Sequence, residues 1–241
     1  MTLRIGTPRW RPAHEDLGTH SGYAACVEPF ALDTTRMGLL VVDMQNDFVR
    51  EGAPQEVPDA RMTIPVIASL LEAFRAAGRP VLYTRFTAGP QRTLLWRWSP
   101  ECGPELRSCW PGELREYGDA TGPLEGHAVI DELEPRAGEP VVDKYGYGGF
   151  HNTALEGALR AHGVGQVVVT GTVTQICVEE TVREGFHREL EIVLVSDGVS
   201  SFDPELHAAT LRNVAMKFGR VEPAALVLEA VAPAGAAHYT F

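Results

Sequence analysis

From Gly38 onward the chain alternates short apolar runs with stretches of helical period, a rhythm that few folds other than a helix-covered parallel sheet can satisfy. Gly38-Leu39-Leu40-Val41-Val42 is a continuous apolar run that ends in Asp43. Between 59 and 77, Ile64, Ile67, Leu70, Leu71 and Phe74 keep helical spacing, and Pro80-Val81-Leu82-Tyr83-Thr84 follows as a second strand. Further strands are expected near 139–143, 166–171, 191–196 and 224–229, with helices near 152–162, 177–190 and 204–218. The pattern predicts an α/β, Rossmann-like three-layer sandwich whose six-stranded, mostly parallel sheet carries helices on both faces.

With 241 residues and 44% hydrophobic content the chain can bury one substantial core. Residues 1–35, broken by Pro8, Pro12, Gly18 and Gly22, read as an irregular N-terminal arm, and 36–232 as the folded domain. A stretch over 87–126 breaks the rhythm with Trp96, Trp98, Trp110, Arg92 and Arg97, and is long for a plain connection. It is expected either to cover the pocket or a subunit contact, or to pack its tryptophans locally. A net charge of −11 argues against nucleic-acid or anionic-membrane partners, which leaves a small molecule. No segment has the ~20 apolar residues of a membrane span, and the N-terminus lacks a signal-peptide core. Cys26, Cys102, Cys109 and Cys177 have no metal-type clustering and read as reduced thiols of a cytoplasmic protein.

Three ionisable residues fall at predicted strand ends. Asp43 closes the first run, Lys144 follows Val141-Val142-Asp143, and Cys177 stands between Val167-Val168-Val169-Thr170-Gly171 and a helical pattern starting near Val178. In open parallel sheets, ligands bind in the crevice outside the carboxyl ends of the strands. A cysteine at a helix N-terminus is also favoured as a thiolate. Singly, Cys177 reads first as a small buried hydrophobe, Asp43 as a turn cap and Lys144 as a solvated charge. Together an acid, a cation and a thiol point to nucleophilic catalysis.

LLVVDMQNDF, VVDKYGYGGFHNTALEGALRAHGV and VVVTGTVTQICVEETVREGF, in this order, resemble the isochorismatase-like family of cysteine hydrolases over roughly residues 36–225. The resemblance implies Asp43 as proton shuttle, Lys144 as electrostatic partner and Cys177 as nucleophile. It also implies a cis peptide at Thr172-Val173, with the backbone N–H groups of Val173 and Cys177 forming an oxyanion hole. The predicted reaction is amide hydrolysis with release of ammonia through a thioester.

YGYGGFHNT and Gln175 resemble the ureidoacrylate, biuret and N-carbamoylsarcosine branches, which implies an amide, carbamoyl or ureido substrate. Asn46, Arg85, Tyr145, Tyr147, Phe150, His151 and Gln175 are the pocket candidates; ordinary loop packing is the competing reading for each. No cofactor and no metal are expected. The stretch Tyr83-Thr84-Arg85-Phe86-Thr87 lacks the Asp and paired His of the family's nicotinamidase branch, and GYGGF at 146–150 is not a dinucleotide-binding GxGxxG. Competing readings are a vinyl-ether hydrolase of the isochorismatase type and a non-catalytic scaffold with a redox-sensing Cys177. Relatives resembling the chain are commonly oligomeric, which implies a homodimer or homotetramer.

Overall fold

In the computed structural model, residues 30–232 are described. The N-terminal arm expected over 1–35 therefore lies outside the described residues as far as position 29, as does Cys26. In chain order the elements are β1 (Met37–Val42), α1 (Asn46–Val49), α2 (Ala60–Ala76), β2 (Val81–Phe86), α3 (Leu95–Trp98), β3 (Leu114–Arg115) and β4 (Leu124–Glu125). They continue with β5 (Val141–Lys144), α4 (Leu155–Ala161), β6 (Gln166–Thr172), α5 (Glu179–Phe186), β7 (Glu191–Ser200), α6 (Pro204–Lys217), β8 (Arg220–Glu222) and α7 (Ala224–Val231).

Six strands form one sheet in the order β5-β2-β1-β6-β7-β8, and every neighbouring pair is parallel. Strands buried on both faces need no polar alternation, which explains the unbroken apolar runs of β1 and β6. Successive side chains still point to opposite faces. Leu39 and Val41 pack with Ile67, Leu70, Leu71 and Phe74 of α2 and Val227 of α7. Leu40 and Val42 pack with Leu155 and Leu159 of α4, Val182 of α5 and Val214 of α6 on the other face.

One expected strand is a helix. Residues 224–229 belong to α7, and the sixth strand is the short β8 just before it. The apolar run is compatible with either state, but Pro223 precedes it and the buried residues Ala224, Val227 and Val231 recur at helical spacing. Asp197 accepts the Ala224 N–H through Oδ1 at 2.8 Å, pairing one of the free amides of the first turn.

The excursion at 87–126 is folded onto the body of the protein. It contains α3 and the antiparallel β3–β4 ribbon, and Trp96 and Trp110 stack on each other at 5.7 Å. Their indole N–H groups donate to the carbonyls of Ala88 and Cys102, each at 2.8 Å. Those two tryptophans thus pack locally, whereas Trp98 is exposed. Asp47, fully buried beside the sheet, anchors the excursion. Its carboxylate accepts from the Cys109 N–H at 2.6 Å and the Tyr117 hydroxyl at 2.7 Å, and pairs with Arg115 at 2.9 Å. A Cβ at position 126 would come within 2.3 Å of this carboxylate, so glycine is required there.

Candidate active site

The carboxyl ends of β1, β5 and β6 bring Asp43, Lys144 and Cys177 together. Asp43, the first residue past β1, has a left-handed backbone, φ 51°. Its amide donates to the Thr84 carbonyl at 3.2 Å, and its Oδ1 accepts from the Thr84 hydroxyl at 2.7 Å. Lys144 ends β5, which is separated from β1 by β2; spanning two inter-strand spacings, about 10 Å, takes a long side chain. Its ammonium lies 2.8 Å from Asp43 Oδ2 and donates to the carbonyls of Gly146 and Tyr147 at 3.1 and 2.9 Å. It also sits 5.1 Å from the centre of the Phe86 ring. Asp43 and Lys144 are both inaccessible to solvent.

Cys177 lies in the wide turn Thr174–Val178 between β6 and α5, where the Val178 N–H reaches back to the Val173 carbonyl at 3.2 Å. The Thr172-Val173 peptide is cis. Just before it, Gly171 has φ 108°, and a Cβ there would come within 2.0 Å of the Val42 carbonyl oxygen, so only glycine lets β6 pass this close to the end of β1. Thr181 Oγ1 donates to the Cys177 carbonyl at 2.7 Å and accepts the Gly149 N–H at 2.9 Å, tying the cysteine turn to the loop after Lys144.

The electrostatics differ from the sequence expectation of a resident thiolate. Burial pushes the Cys177 thiol up to about 12; Lys144 pulls it down, and Asp43 pushes it up again. These causes together favour the thiol over the expected thiolate. Burial disfavours the Lys144 cation, but the neighbouring Asp43 and Cys177 groups, Asp43 foremost, outweigh it and hold the ammonium above its ordinary value. Alkylation of Cys177 by iodoacetamide, followed by peptide mass spectrometry, should therefore keep accelerating past pH 10. A plateau near pH 8 would mean that a stable thiolate is already present.

The pocket candidates separate. Asn46 is committed to structure: its amide donates to the Glu125 carbonyl and its oxygen accepts from Arg50 Nε, so it is not free for substrate. Phe150 is likewise a core residue, packed with Leu155 and Val182 under the guanidinium of Arg188. His151 and Tyr145 are exposed. Tyr147 stacks on Phe86 at 6.0 Å and supplies a carbonyl to Lys144. Arg85 pairs with Asp143 at 2.8 Å.

Gln175 is the informative one, because both polar atoms of its carboxamide are buried without a hydrogen-bond partner among the described residues. It stands two residues before the nucleophile candidate and lines a groove of about 610 Å³ with Ile176, Phe202 and Leu206.

Sequence reasoning missed Thr84 and His127. His127 is buried, with Nε2 2.8 Å from the Thr87 hydroxyl, and burial followed by the charge of Arg85 pushes its pKa down. Only contact with strand ends distant in sequence gives either residue its significance.

The sequence matches the family model of the isochorismatase domain over residues 37–225. The chain belongs to the isochorismatase family. Among curated relatives it is 37% identical to the ureidoacrylate amidohydrolase RutB of Methylobacterium radiotolerans over 91% of each chain. It is 33% identical to the Yersinia enterocolitica protein of the same name, over 86% of this chain and 94% of the relative. Among solved structures, a cysteine hydrolase from Pseudomonas syringae pv. phaseolicola superposes with a TM-score of 0.74 at 28% identity, over 84% of this chain and 95% of the other. N-carbamoylsarcosine amidase from Thermoplasma acidophilum gives 0.64 at 29% identity, over 78% and 96%.

Proposed function

We propose that this chain is a cysteine amidohydrolase that cleaves a C–N bond of a small amide, carbamoyl or ureido compound. The observation that carries the reading is the buried ion pair of Asp43 and Lys144 set against the Cys177 thiol. The relatives' names supply the substrate class. Asp43 takes the thiol proton as Sγ attacks the carbonyl carbon, and the Lys144 ammonium stabilises the sulfur anion as it forms. The tetrahedral oxyanion is received by the amides of Val173 and Cys177. The C–N bond then breaks, and Asp43 returns the proton to the departing amine.

What remains is a thioester on Cys177, which for a ureide is a thiocarbamate. Asp43, again a carboxylate, draws a proton from the water that hydrolyses it and passes that proton back to the sulfur. The unpartnered donor and acceptor of Gln175 suit a neutral ureido group, which offers both an N–H and a carbonyl. The free thiols of Cys102, Cys109 and Cys177 suit a reducing, cytoplasmic setting. A homodimer or homotetramer would cover the exposed Phe202 and Leu206.

Ammonia release from ureidoacrylate, N-carbamoylsarcosine, biuret and simple primary amides tests the reading. Hydrolysis of at least one ureide is expected, with the rate unchanged after exhaustive chelation, because the stretch Tyr83-Thr84-Arg85-Phe86-Thr87 lacks the Asp and paired His of the nicotinamidase branch. Inactivity on every member of the panel, or loss on chelation with recovery on adding one metal, would overturn it.

A further inference from the structure

We propose that Thr84 is a positioning residue for this reaction, its hydroxyl pinning Oδ1 of Asp43 so that Oδ2 alone faces Lys144 and Cys177. The inference rests on the amidohydrolase reading of the site. Thr84 lies on β2 directly beside Val42, the last residue of β1, and is inaccessible to solvent. It holds Asp43 twice: its carbonyl accepts the Asp43 N–H, and its hydroxyl donates to Oδ1 at 2.7 Å. Valine would fill a fully buried strand position as well as threonine does, so a hydroxyl here needs a partner, and Asp43 is that partner.

The two oxygens of Asp43 are consequently unlike. Oδ1 takes the one hydrogen that Thr84 has to give. Oδ2 lies 2.8 Å from the Lys144 ammonium, and the Asp43 carboxyl is also the side-chain hydrogen-bond partner of Cys177, whose proton it is placed to accept. The left-handed backbone at Asp43 turns the chain sharply there, and the bond to Thr84 fixes the side-chain rotation that remains. Thr84 touches neither sulfur nor substrate; it acts through the direction it gives the carboxylate.

Three substitutions separate the hydroxyl from the methyl group. With the ureide that the wild type hydrolyses best, T84V and T84A should each lose about 30- to 100-fold in kcat, up to the lower end of the range for general acid–base contributions because the carboxylate itself remains, while KM stays within about threefold. T84S, which keeps the hydroxyl, should remain within about threefold of wild type in kcat. If T84V fails to fold, the pair T84A and T84S carries the same contrast. Wild-type kcat in T84A, equal impairment of T84S and T84A, or an effect confined to KM would overturn the proposal.

Should the wild type hydrolyse no ureide, the functional reading fails, and crystal structures of the variants still test the positioning. The Asp43 Oδ2 to Lys144 Nζ separation should lengthen beyond about 3.5 Å in T84V and T84A and stay short in T84S. An unmoved carboxylate in T84A would overturn it.

Discussion

Cys177→Ser should lower kcat/KM at least about 10³-fold while the protein stays folded. The site already has to remove a proton from a thiol that burial pushes up to about 12, and a hydroxyl gives up its proton far less readily. Serine is nearly isosteric with cysteine, so the unfolding free energy should change by no more than about 1 kcal/mol. Ammonia-release kinetics together with urea unfolding measure both quantities. A serine variant with wild-type turnover would remove sulfur from the mechanism.

Asp47→Ala should have the largest effect on stability of any single substitution outside the core. The carboxylate is solvent-inaccessible and is shared by Arg115, the Tyr117 hydroxyl and the Cys109 amide. Removing it leaves a largely buried guanidinium and two further donors without their acceptor, a loss of about 3–5 kcal/mol. Amide hydrogen exchange should rise first across the β3–β4 ribbon and the Cys109 turn. Unfolding within 1 kcal/mol of wild type would show that the tryptophan packing holds the excursion without this anchor.

The parallel sheet was legible because strands buried on both faces leave continuous apolar runs, and Gly38 to Val42 and Val167 to Gly171 are such runs. The α7 segment was not, because the apolar run Ala224 to Leu228 suits either state and the actual sixth strand is only Arg220–Glu222, too short to carry a period. That Asp43, Lys144 and Cys177 lie near one another was legible because Asp43 and Lys144 stand at the ends of β1 and β5 and Cys177 in the turn after β6, at the carboxyl end of the sheet. Thr84 reads as an ordinary β-branched strand residue until β1 lies beside β2. Asn46 and Phe150 look like pocket residues until Glu125 and Arg188 are brought to them from elsewhere in the chain. The upward push on the Cys177 thiol was hidden for the same reason, since the expected helix end favours a thiolate whereas burial and the adjacent Asp43 oppose it.

The central claim is that Cys177 carries the acyl group during turnover, and acid-quenched mass spectrometry of the enzyme during its first turnovers tests it most directly. With a hydrolysable ureide in excess, the peptide containing Cys177 should gain the mass of the acyl fragment, and the Cys177→Ser enzyme should gain none. Steady turnover with Cys177 unmodified at every quench time would contradict the account and point to direct attack by water.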